Sequence, residues 1–174
     1  MPKRTNAWSK QIGRDMAKSE SEKRQGKFER MLQQFREKQA KHSYAHVLNI
    51  CAATFQKLRV LQEANDQGVV SCITCGKLMM FNDKDSQGGH WISRHHTAAL
   101  FDARNVNVQC GYFCNGQGGK PIEYRQWLVN EYGEDAVKEL KQMKRSRKYS
   151  LEELVEMRMG WMDEIRKHTK RVEQ

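Results

Sequence analysis

Apolar residues recur at helical spacing through the first third of the chain. The first of them stand four residues apart, at Trp8, Ile12 and Met16. A stripe of three such residues cannot order a helix by itself, so we expect residues 1–26 to form a basic mobile arm or a weakly anchored helix. From Phe28 the apolar positions become denser, at spacings of three, four and seven. This pattern predicts one long or two consecutive helices over 27–67.

The periodicity stops in the middle of the chain. Residues 69–120 hold four of the five cysteines, three of the six histidines and seven of the twelve glycines. Their apolar runs are short, at Gly89–Ile92 and Val106–Gln109. We interpret residues 69–132 as a loop-rich module with two short strands, held together by something other than a large apolar core.

Helical signals return in the last third, so that 133–174 is predicted to be helical. Pro121 suits the first turn of a helix, because its missing N–H has no partner there, and Gly133 can end that helix. Ile122, Trp127 and Leu128 are expected to form its buried face. Ser150 and Glu153 have the spacing of a capping box, which predicts the start of a final helix. The expected class is α+β, mostly helical.

Charge separates the same three regions. The chain has 174 residues, with 31 Lys and Arg against 21 Asp and Glu, a net charge of +10. Residues 1–42 carry +7, residues 43–140 carry −1 and residues 141–174 carry +4. Single basic runs usually solvate helices, but two basic flanks around a neutral module favour a nucleic-acid backbone as partner, without sequence specificity.

The composition also excludes a membrane protein. No run approaches the roughly 20 apolar residues of a membrane span, and the N-terminal residues lack the apolar core of a signal peptide. We therefore expect no membrane partner and reduced cysteines rather than disulfides.

Four of those cysteines form two pairs with metal-ligand spacing. Cys72 and Cys75 enclose two residues, and Cys110 and Cys114 enclose three. Two such pairs supply the four thiolates of a structural zinc site, which is a stronger interpretation than buried or redox thiols in a segment with so small a core. Cys51 lies on an apolar helical face and is expected to be a core residue.

Between and after the cysteine pairs stand residues suited to phosphodiester chemistry. His90 follows the two glycines of the first predicted strand, Asn105 precedes the second strand, and Asn115 directly follows Cys114. A neutral histidine can accept a proton from water, and an amide oxygen is a hard ligand suited to Mg²⁺. Brought together, they would make a one-metal phosphodiesterase.

The order of these residues resembles the HNH nucleases of the zinc-bound ββα-metal type, especially the endonuclease VII branch. It is more similar still to the lambda NinG (Rap) recombination endonuclease family. The shared positions are Cys72-Ile-Thr-Cys75-Gly76, Gly89-His90, Arg104-Asn105-Val106, Gln109-Cys110 and Cys114-Asn115. With weaker matches on either side, the similarity covers roughly residues 43–155.

The resemblance implies a zinc-bound ββα-metal module between helices, and an enzyme that cuts branched recombination intermediates such as Holliday junctions and D-loops. His90 would be its general base, Asn105 would order a loop, and Asn115 would bind a catalytic Mg²⁺ or Mn²⁺. It also implies a phage or prophage protein in the cytoplasm of a bacterial host. A homodimer, by analogy with junction resolvases, and a recombinase are the further partners it suggests.

The chain departs from the HNH pattern at its metal site. The position before the histidine is often Asp, a second metal ligand, but here it is Gly89. Asp85 would share a strand face with Gly89 by the period of two, so it is the expected substitute, with His95, His96 and Asp102 as others. The glycines after Asn115 also place the start of the next helix late, near Pro121.

Four basic residues around the module are predicted to bind DNA, namely Arg94, Arg104, Lys120 and Arg125. For Arg94 and Arg104 the alternative, a surface arginine or a local ion pair, has equal weight. Two rival functions also stay open: a zinc-stabilised nucleic-acid-binding recombination accessory protein without cleavage, and a general DNA or RNA nuclease of the HNH type.

Overall fold

The computed structural model describes residues 5–173, with side chains from Lys10 onward. Its long helices are α1 (Thr5–Lys41), α2 (Tyr44–Glu63), α3 (Pro121–Gln142) and α4 (Leu151–Val172). Its strands are β1 (Val69–Ser71), β2 (Leu78–Met80), β3 (Ser86–His90) and β4 (Val106–Cys110). The predicted class, α+β and mostly helical, is confirmed.

The N-terminal region forms two consecutive helices. α1 begins at Thr5 rather than near residue 27, and the side chains from Lys10 to Gln25 are exposed. α1 ends at Lys41, and the Ser43 hydroxyl starts α2 by accepting a hydrogen bond from the His46 amide at 3.1 Å. Helical spacing thus predicted two consecutive helices from residue 27 onward, but the structure extends the first of them back to Thr5. The Trp8 side chain lies outside the described residues.

The second half of α1 packs with α2 and α4 around the largest core. Its buried members on the three helices include Met31, Leu32, Phe35, Val47, Leu48, Cys51, Leu154, Val155 and Met159. Cys51 is a core residue, as predicted. The capping box that starts α4 is also confirmed, because the Ser150 hydroxyl accepts from the Glu153 amide while the Glu153 carboxylate accepts from the Ser150 amide.

The middle of the chain folds into two antiparallel hairpins. β3 pairs with β4, with Ser86 opposite Cys110 and His90 opposite Val106, close to the two predicted strands. The β1–β2 pair was not predicted, because each strand has three residues and shows no alternation long enough to recognise. α2 joins the second hairpin, since Gln56 Nε2 donates to the Gly88 carbonyl at 2.6 Å.

α3 covers the other side of the β3–β4 hairpin. It begins at Pro121 as predicted, and Gly133 interrupts it with a φ of 82°, which only glycine adopts without strain. Tyr124 and Leu128, one turn apart, are fully buried, whereas Ile122 is 81% exposed. The prediction that Ile122 would be buried is therefore wrong. Within residues 5–173, no helix is long and apolar enough to cross a membrane.

Candidate metal centre and the neighbouring histidine

Both cysteine pairs sit in tight turns of the hairpins. Cys72 and Cys75 belong to the turn between β1 and β2, where Gly76 has a φ of 74° and donates its amide to the Cys72 carbonyl at 2.8 Å. Cys110 ends β4, and Cys114 returns its amide to the Cys110 carbonyl at 3.3 Å. The Ile73 amide donates to the Val108 carbonyl at 2.9 Å, which ties the first turn to β4.

This arrangement brings the four sulfur atoms together. All four Sγ atoms lie within 4.8 Å of one another, and Cys75 Sγ is 3.7 Å from Cys110 Sγ. Tetrahedral zinc with Zn–S bonds of about 2.3 Å requires sulfur atoms about 3.8 Å apart. The donor set therefore fits a structural metal such as zinc. In the described residues, this is the one group of three or more His, Cys, Asp or Glu side chains close enough to share an ion.

The thiols differ in how readily they ionise. Burial opposes ionisation of Cys72, but hydrogen bonds from Thr74 and from nearby backbone groups outweigh it and lower its pKa to about 6. Burial raises the pKa of Cys114 to about 12, with Thr74 opposing and the neighbouring cysteines adding to the rise. A bound cation would favour the thiolate at both positions.

His90 ends β3, and its ring is largely enclosed. Its Nε2 lies 3.3 Å from the Leu100 carbonyl oxygen. Burial, with a smaller contribution from the charge of Arg94, lowers the pKa of His90 to about 4. The imidazole is therefore neutral at pH 7. An Nε2–H donated to Leu100 leaves the lone pair on Nδ1.

Asn105 holds the loop that carries Leu100. The side chain is fully buried. Its Oδ1 accepts from the Ile92 amide at 2.7 Å, and its Nδ2 donates to the Ala99 carbonyl at 2.9 Å. Asn105 thus joins the beginning and the end of the loop between β3 and β4, and the partner of His90 lies within that loop.

Asn115 belongs to a separate contact on the same hairpin. Its Nδ2 donates to Gln87 Oε1 at 2.7 Å, so the residue after the last cysteine is tied to β3. No hydrogen bond joins it to His90 among the described residues. The structure therefore groups His90 with Leu100 and Asn105, and Asn115 with Gln87, three positions before His90 on the strand.

A residue that sequence reasoning did not assign a role occupies the space beside Gly89. Gln109 is fully buried and donates Nε2 to the Gly119 carbonyl at 2.8 Å, while its Oε1 has no hydrogen-bond partner. A Cβ atom on Gly89 would lie 2.0 Å from that Oε1. A side chain at the position before His90 would therefore clash with the Gln109 amide, which fills this space.

Asp85 lies where it supports the cysteine turns. Its Oδ2 accepts from Lys77 Nζ at 2.7 Å, and its Oδ1 accepts from the Tyr112 amide at 2.8 Å. The ion pair with Lys77, followed by the hydrogen bond from Tyr112, lowers the pKa of the carboxyl group. Both oxygens already have partners, so the structure corrects the expectation that Asp85 substitutes as a catalytic metal ligand.

The donors near Asn115 fit a catalytic Mg²⁺ or Mn²⁺ only in part. Asn115 offers a neutral amide oxygen, whereas protein Mg²⁺ sites usually use one or two carboxylates together with water and phosphate oxygens. Asp102, another candidate, is bound to Arg104. The remaining candidates, His95 and His96, lie on the loop after β3, where His95 is exposed and His96 is half-buried.

The four predicted DNA-binding residues differ in their availability. Arg104 donates to Asp102 at 2.9 Å and to Glu139 at 2.7 Å, and these two carboxylates raise its pKa further above its usual range. Arg125 donates to both oxygens of Glu134 at 2.8 Å. Of the two interpretations of Arg104, DNA binding or a local ion pair, the ion pair is the one that the structure contains. Arg94 is exposed, Lys120 is half-buried before α3, and neither forms an ion pair within the described part of the chain.

Tyr124 is a second buried residue whose role the sequence did not suggest. Its hydroxyl lies 3.1 Å from the Gly89 carbonyl and 3.2 Å from the Asn105 carbonyl, and it accepts from Asn107 Nδ2 at 3.1 Å. One residue of α3 thereby joins both strands beside His90.

The sequence of the chain is similar to one known protein family. The family model described as bacteriophage lambda NinG protein matches residues 3–173. The chain belongs to the NinG family. Two curated relatives, the proteins ninG of Escherichia phage 933W and of Enterobacteria phage VT2-Sa, are each 30% identical over 83 residues. The match covers 47% of this chain and 40% of each NinG relative, so the chain spans less than half of their length. No solved structure matches the chain.

Proposed function

We propose that the chain is a metal-dependent endonuclease of the HNH type that cuts branched DNA, such as Holliday junctions and D-loops, during phage recombination in the cytoplasm of a bacterial host. The environment of His90 supports this proposal most strongly. Its pKa of about 4 keeps the ring neutral, and the Leu100 carbonyl 3.3 Å from Nε2 favours the tautomer with a free lone pair on Nδ1. A general base needs an unprotonated nitrogen and a fixed tautomer; the low pKa secures the first, although it makes the ring a weaker base than an ordinary histidine.

In the proposed reaction His90 acts on water. Nδ1 accepts a proton as the water oxygen attacks the scissile phosphorus and the bond between phosphorus and O3′ breaks. The leaving O3′ takes a proton from solvent, so that the products are a 5′-phosphate and a 3′-hydroxyl. Asn105 keeps the Leu100 carbonyl in place, which fixes the orientation of the ring. Asn115 would contribute an amide oxygen to a Mg²⁺ or Mn²⁺ ion, which would supply positive charge for the phosphate and the leaving oxygen.

The flanking helices would hold the DNA while the module cuts it. The first 42 residues carry a net charge of +7, and the last 34 carry +4. Charge of this kind contacts phosphates without reading bases, as a nuclease selective for DNA shape requires. A homodimer would place two such modules on the two strands of a symmetric junction.

The first experiment is cleavage of a labelled four-way junction, a D-loop and a linear duplex at low salt, with Mg²⁺ or Mn²⁺. We expect the wild type to cut the branched substrates, and His90→Ala to lose at least about a hundredfold in rate, the usual contribution of a general base. His42→Ala, at an exposed histidine in the turn between α1 and α2, is the matched control. Equal activity of wild type and His90→Ala would refute the role of His90.

The packing beside Gly89 favours a second candidate function for the chain. Because Gln109 fills the position of the missing carboxylate, the chain has features of a zinc-stabilised DNA-binding accessory protein that does not cut. In that case the wild type binds branched DNA but cuts none of the substrates, and binding survives His90→Ala but is lost in Cys72→Ser and Cys110→Ser. Equal cutting of duplex DNA and RNA would instead identify a general nuclease.

A further inference from the structure

Two aromatic side chains project from the second cysteine turn. Tyr112 is 71% exposed and Phe113 is 58% exposed, and their rings meet edge to face with centroids 4.8 Å apart. We call this pair the aromatic knuckle. Aromatic side chains are normally buried to a large extent. Two adjacent exposed rings therefore suggest a surface that contacts a ligand.

The aromatic knuckle is held rigidly on the module. Its turn is closed by Cys110 and Cys114, both members of the four-sulfur group. Asp85 fixes the turn from outside, since its carbonyl accepts from the Gly111 amide at 2.7 Å and its Oδ1 accepts from the Tyr112 amide at 2.8 Å. The rings therefore lose little conformational freedom when they bind, which favours affinity.

A positive charge lies directly at the aromatic knuckle. Lys77 Nζ is 5.8 Å from the centroid of the Phe113 ring, within the range of a cation–π interaction. The ammonium group forms an ion pair with Asp85 at 2.7 Å, and the Lys77 side chain is 44% exposed. Aromatic rings beside a lysine are the combination with which proteins bind single-stranded nucleic acid.

The aromatic knuckle also adjoins the proposed cutting site. Asn115 follows Phe113 by two residues, and the Gln87 side chain contacts Asn115 at 2.7 Å. The same Gln87 amide would lie 2.5 Å from a Cβ on Gly111, so it packs against the turn that carries the rings. A base bound by the rings would thus belong to a nucleotide near Asn115.

We propose that Tyr112 and Phe113 stack on unpaired bases of the DNA, next to the phosphate that the module would cut. This inference rests on the proposed function in that it takes DNA as the partner, and it identifies unpaired nucleotides at a branch as the element that is recognised. A second copy of the chain fits less well, because two rings offer at most about 500 Å². A stable interface needs about 800 Å² from each partner.

The test measures binding rather than cutting. Oligonucleotides carrying 2-aminopurine in a single-stranded segment, in an unpaired branch or in a duplex are titrated with His90→Ala protein without Mg²⁺, so that no cleavage interferes. We expect quenching of the fluorophore in the two unpaired contexts. Tyr112→Ala and Phe113→Ala should each weaken binding there by about tenfold, with less than a twofold change on duplex DNA.

Matched variants separate stacking from other causes. Ile122→Ala removes an equally exposed apolar side chain from α3 and should change nothing, while Phe113→Tyr should bind like the parent. Zinc content is measured for every variant, so that damage to the cysteine turn is recognised. The proposal is overturned if Phe113→Leu binds as tightly as the parent, or if the alanine variants weaken duplex binding equally.

The outcome is distinguishable from failure of the proposed function. Quenching that depends on both rings, in a wild-type protein that cuts no substrate with any metal, would support the aromatic knuckle and refute the nuclease. Cleavage of branched DNA that is unchanged in Tyr112→Ala and Phe113→Ala would support the nuclease and refute the role of the aromatic knuckle. Absence of binding to all three DNA forms would refute both.

Discussion

At the scale of single residues, the close approach of Gln109 to Gly89 explains the main departure of this chain from the HNH pattern. Sequence comparison marks Gly89 as a missing metal ligand. In the folded chain the position is filled, because the Gln109 amide crosses from β4 to the backbone of β3 and donates to Gly119 at 2.8 Å. Glycine is therefore favoured at this position because a larger side chain would clash with Gln109, and not because of its backbone conformation.

We predict that Gly89→Ala destabilises the protein. The added Cβ would lie 2.0 Å from Gln109 Oε1, and relief of such overpacking costs about 1–3 kcal/mol. Denaturant unfolding measures the difference in the free energy of unfolding. Gly160→Ala is the matched control, because this position in α4 has no neighbour within 4 Å of an added Cβ and alanine favours a helix by about 1 kcal/mol. Equal stability of Gly89→Ala and wild type would contradict the packing described here.

His90 gives a prediction about pH. Its pKa is lowered from 6.5 to about 4 in the folded protein, so the unfolded chain binds the proton more readily. As the pH falls from about 6.5 to about 4, the free energy of unfolding should therefore decrease, by about 3 kcal/mol from this group. Above pH 6.5 the group should have no effect.

Comparison with His90→Gln isolates this contribution, since acid-driven loss of metal affects both proteins. The difference between their free energies of unfolding should change over this pH window, and the exposed His95→Gln variant should behave like wild type. A difference that stays constant from pH 7 to pH 4.5 would show that the His90 ring is not buried as described.

At the scale of elements, the two cysteine turns replace a core that the hairpins lack. The apolar cluster beside β1, β2 and β4 is small, and three of its buried members are Cys72, Cys110 and Cys114 themselves. The helices α1, α2 and α4 have a separate and larger cluster. The metal should therefore determine the stability of the hairpins much more than that of the helices.

We predict that the purified chain holds one zinc ion, and that Cys110→Ser loses it. Removal of the metal with a chelator should leave most of the helical signal in far-UV circular dichroism, while the hairpins become sensitive to protease. Cys51→Ala is the matched control, because Cys51 is buried in the helical core and should leave the zinc content unchanged. Stoichiometric zinc in Cys110→Ser would contradict the assignment of the ligands.

At the scale of the whole molecule, α1 extends beyond the body that it helps to form. Its buried residues begin at Met31, and the side chains from Lys10 to Gln25 are exposed. Lys10, Arg14 and Lys18 are spaced by four residues and therefore lie along one side of the helix. Such a row of charges is suited to contact with a DNA backbone.

We predict that replacing Lys10, Arg14 and Lys18 by Gln flattens the salt dependence of DNA binding. If each contacts one phosphate, the slope of log K against log salt should fall in magnitude by about 3. Replacement of Lys57, Lys84 and Lys138, which are exposed basic residues in the near-neutral middle of the chain, is the control with equal loss of charge. If the slope of the α1 variant equals that of the wild type, this part of the helix has another role.

Local signals in the sequence predicted much of the fold. Helical spacing marked α2 and the second half of α1, and Pro121, Gly133 and the Ser150 capping box marked boundaries, because these features depend on neighbouring residues. The two pairs of cysteines predicted the four candidate metal ligands for the same reason. The three-residue strands β1 and β2 could not be predicted, since their pairing depends on the cysteine turn between them.

The sequence by itself determined the class of fold, the starts of α3 and α4, the two cysteine pairs and the distribution of charge, because each follows from the composition or spacing of residues close in the chain. Only the tertiary structure decided which polar groups are available. It paired Asp85 with Lys77, bound Arg104 to Asp102 and Glu139, placed Gln109 beside Gly89 and lowered the pKa of His90. These outcomes depend on distance and burial between segments far apart in the chain, which no local pattern encodes.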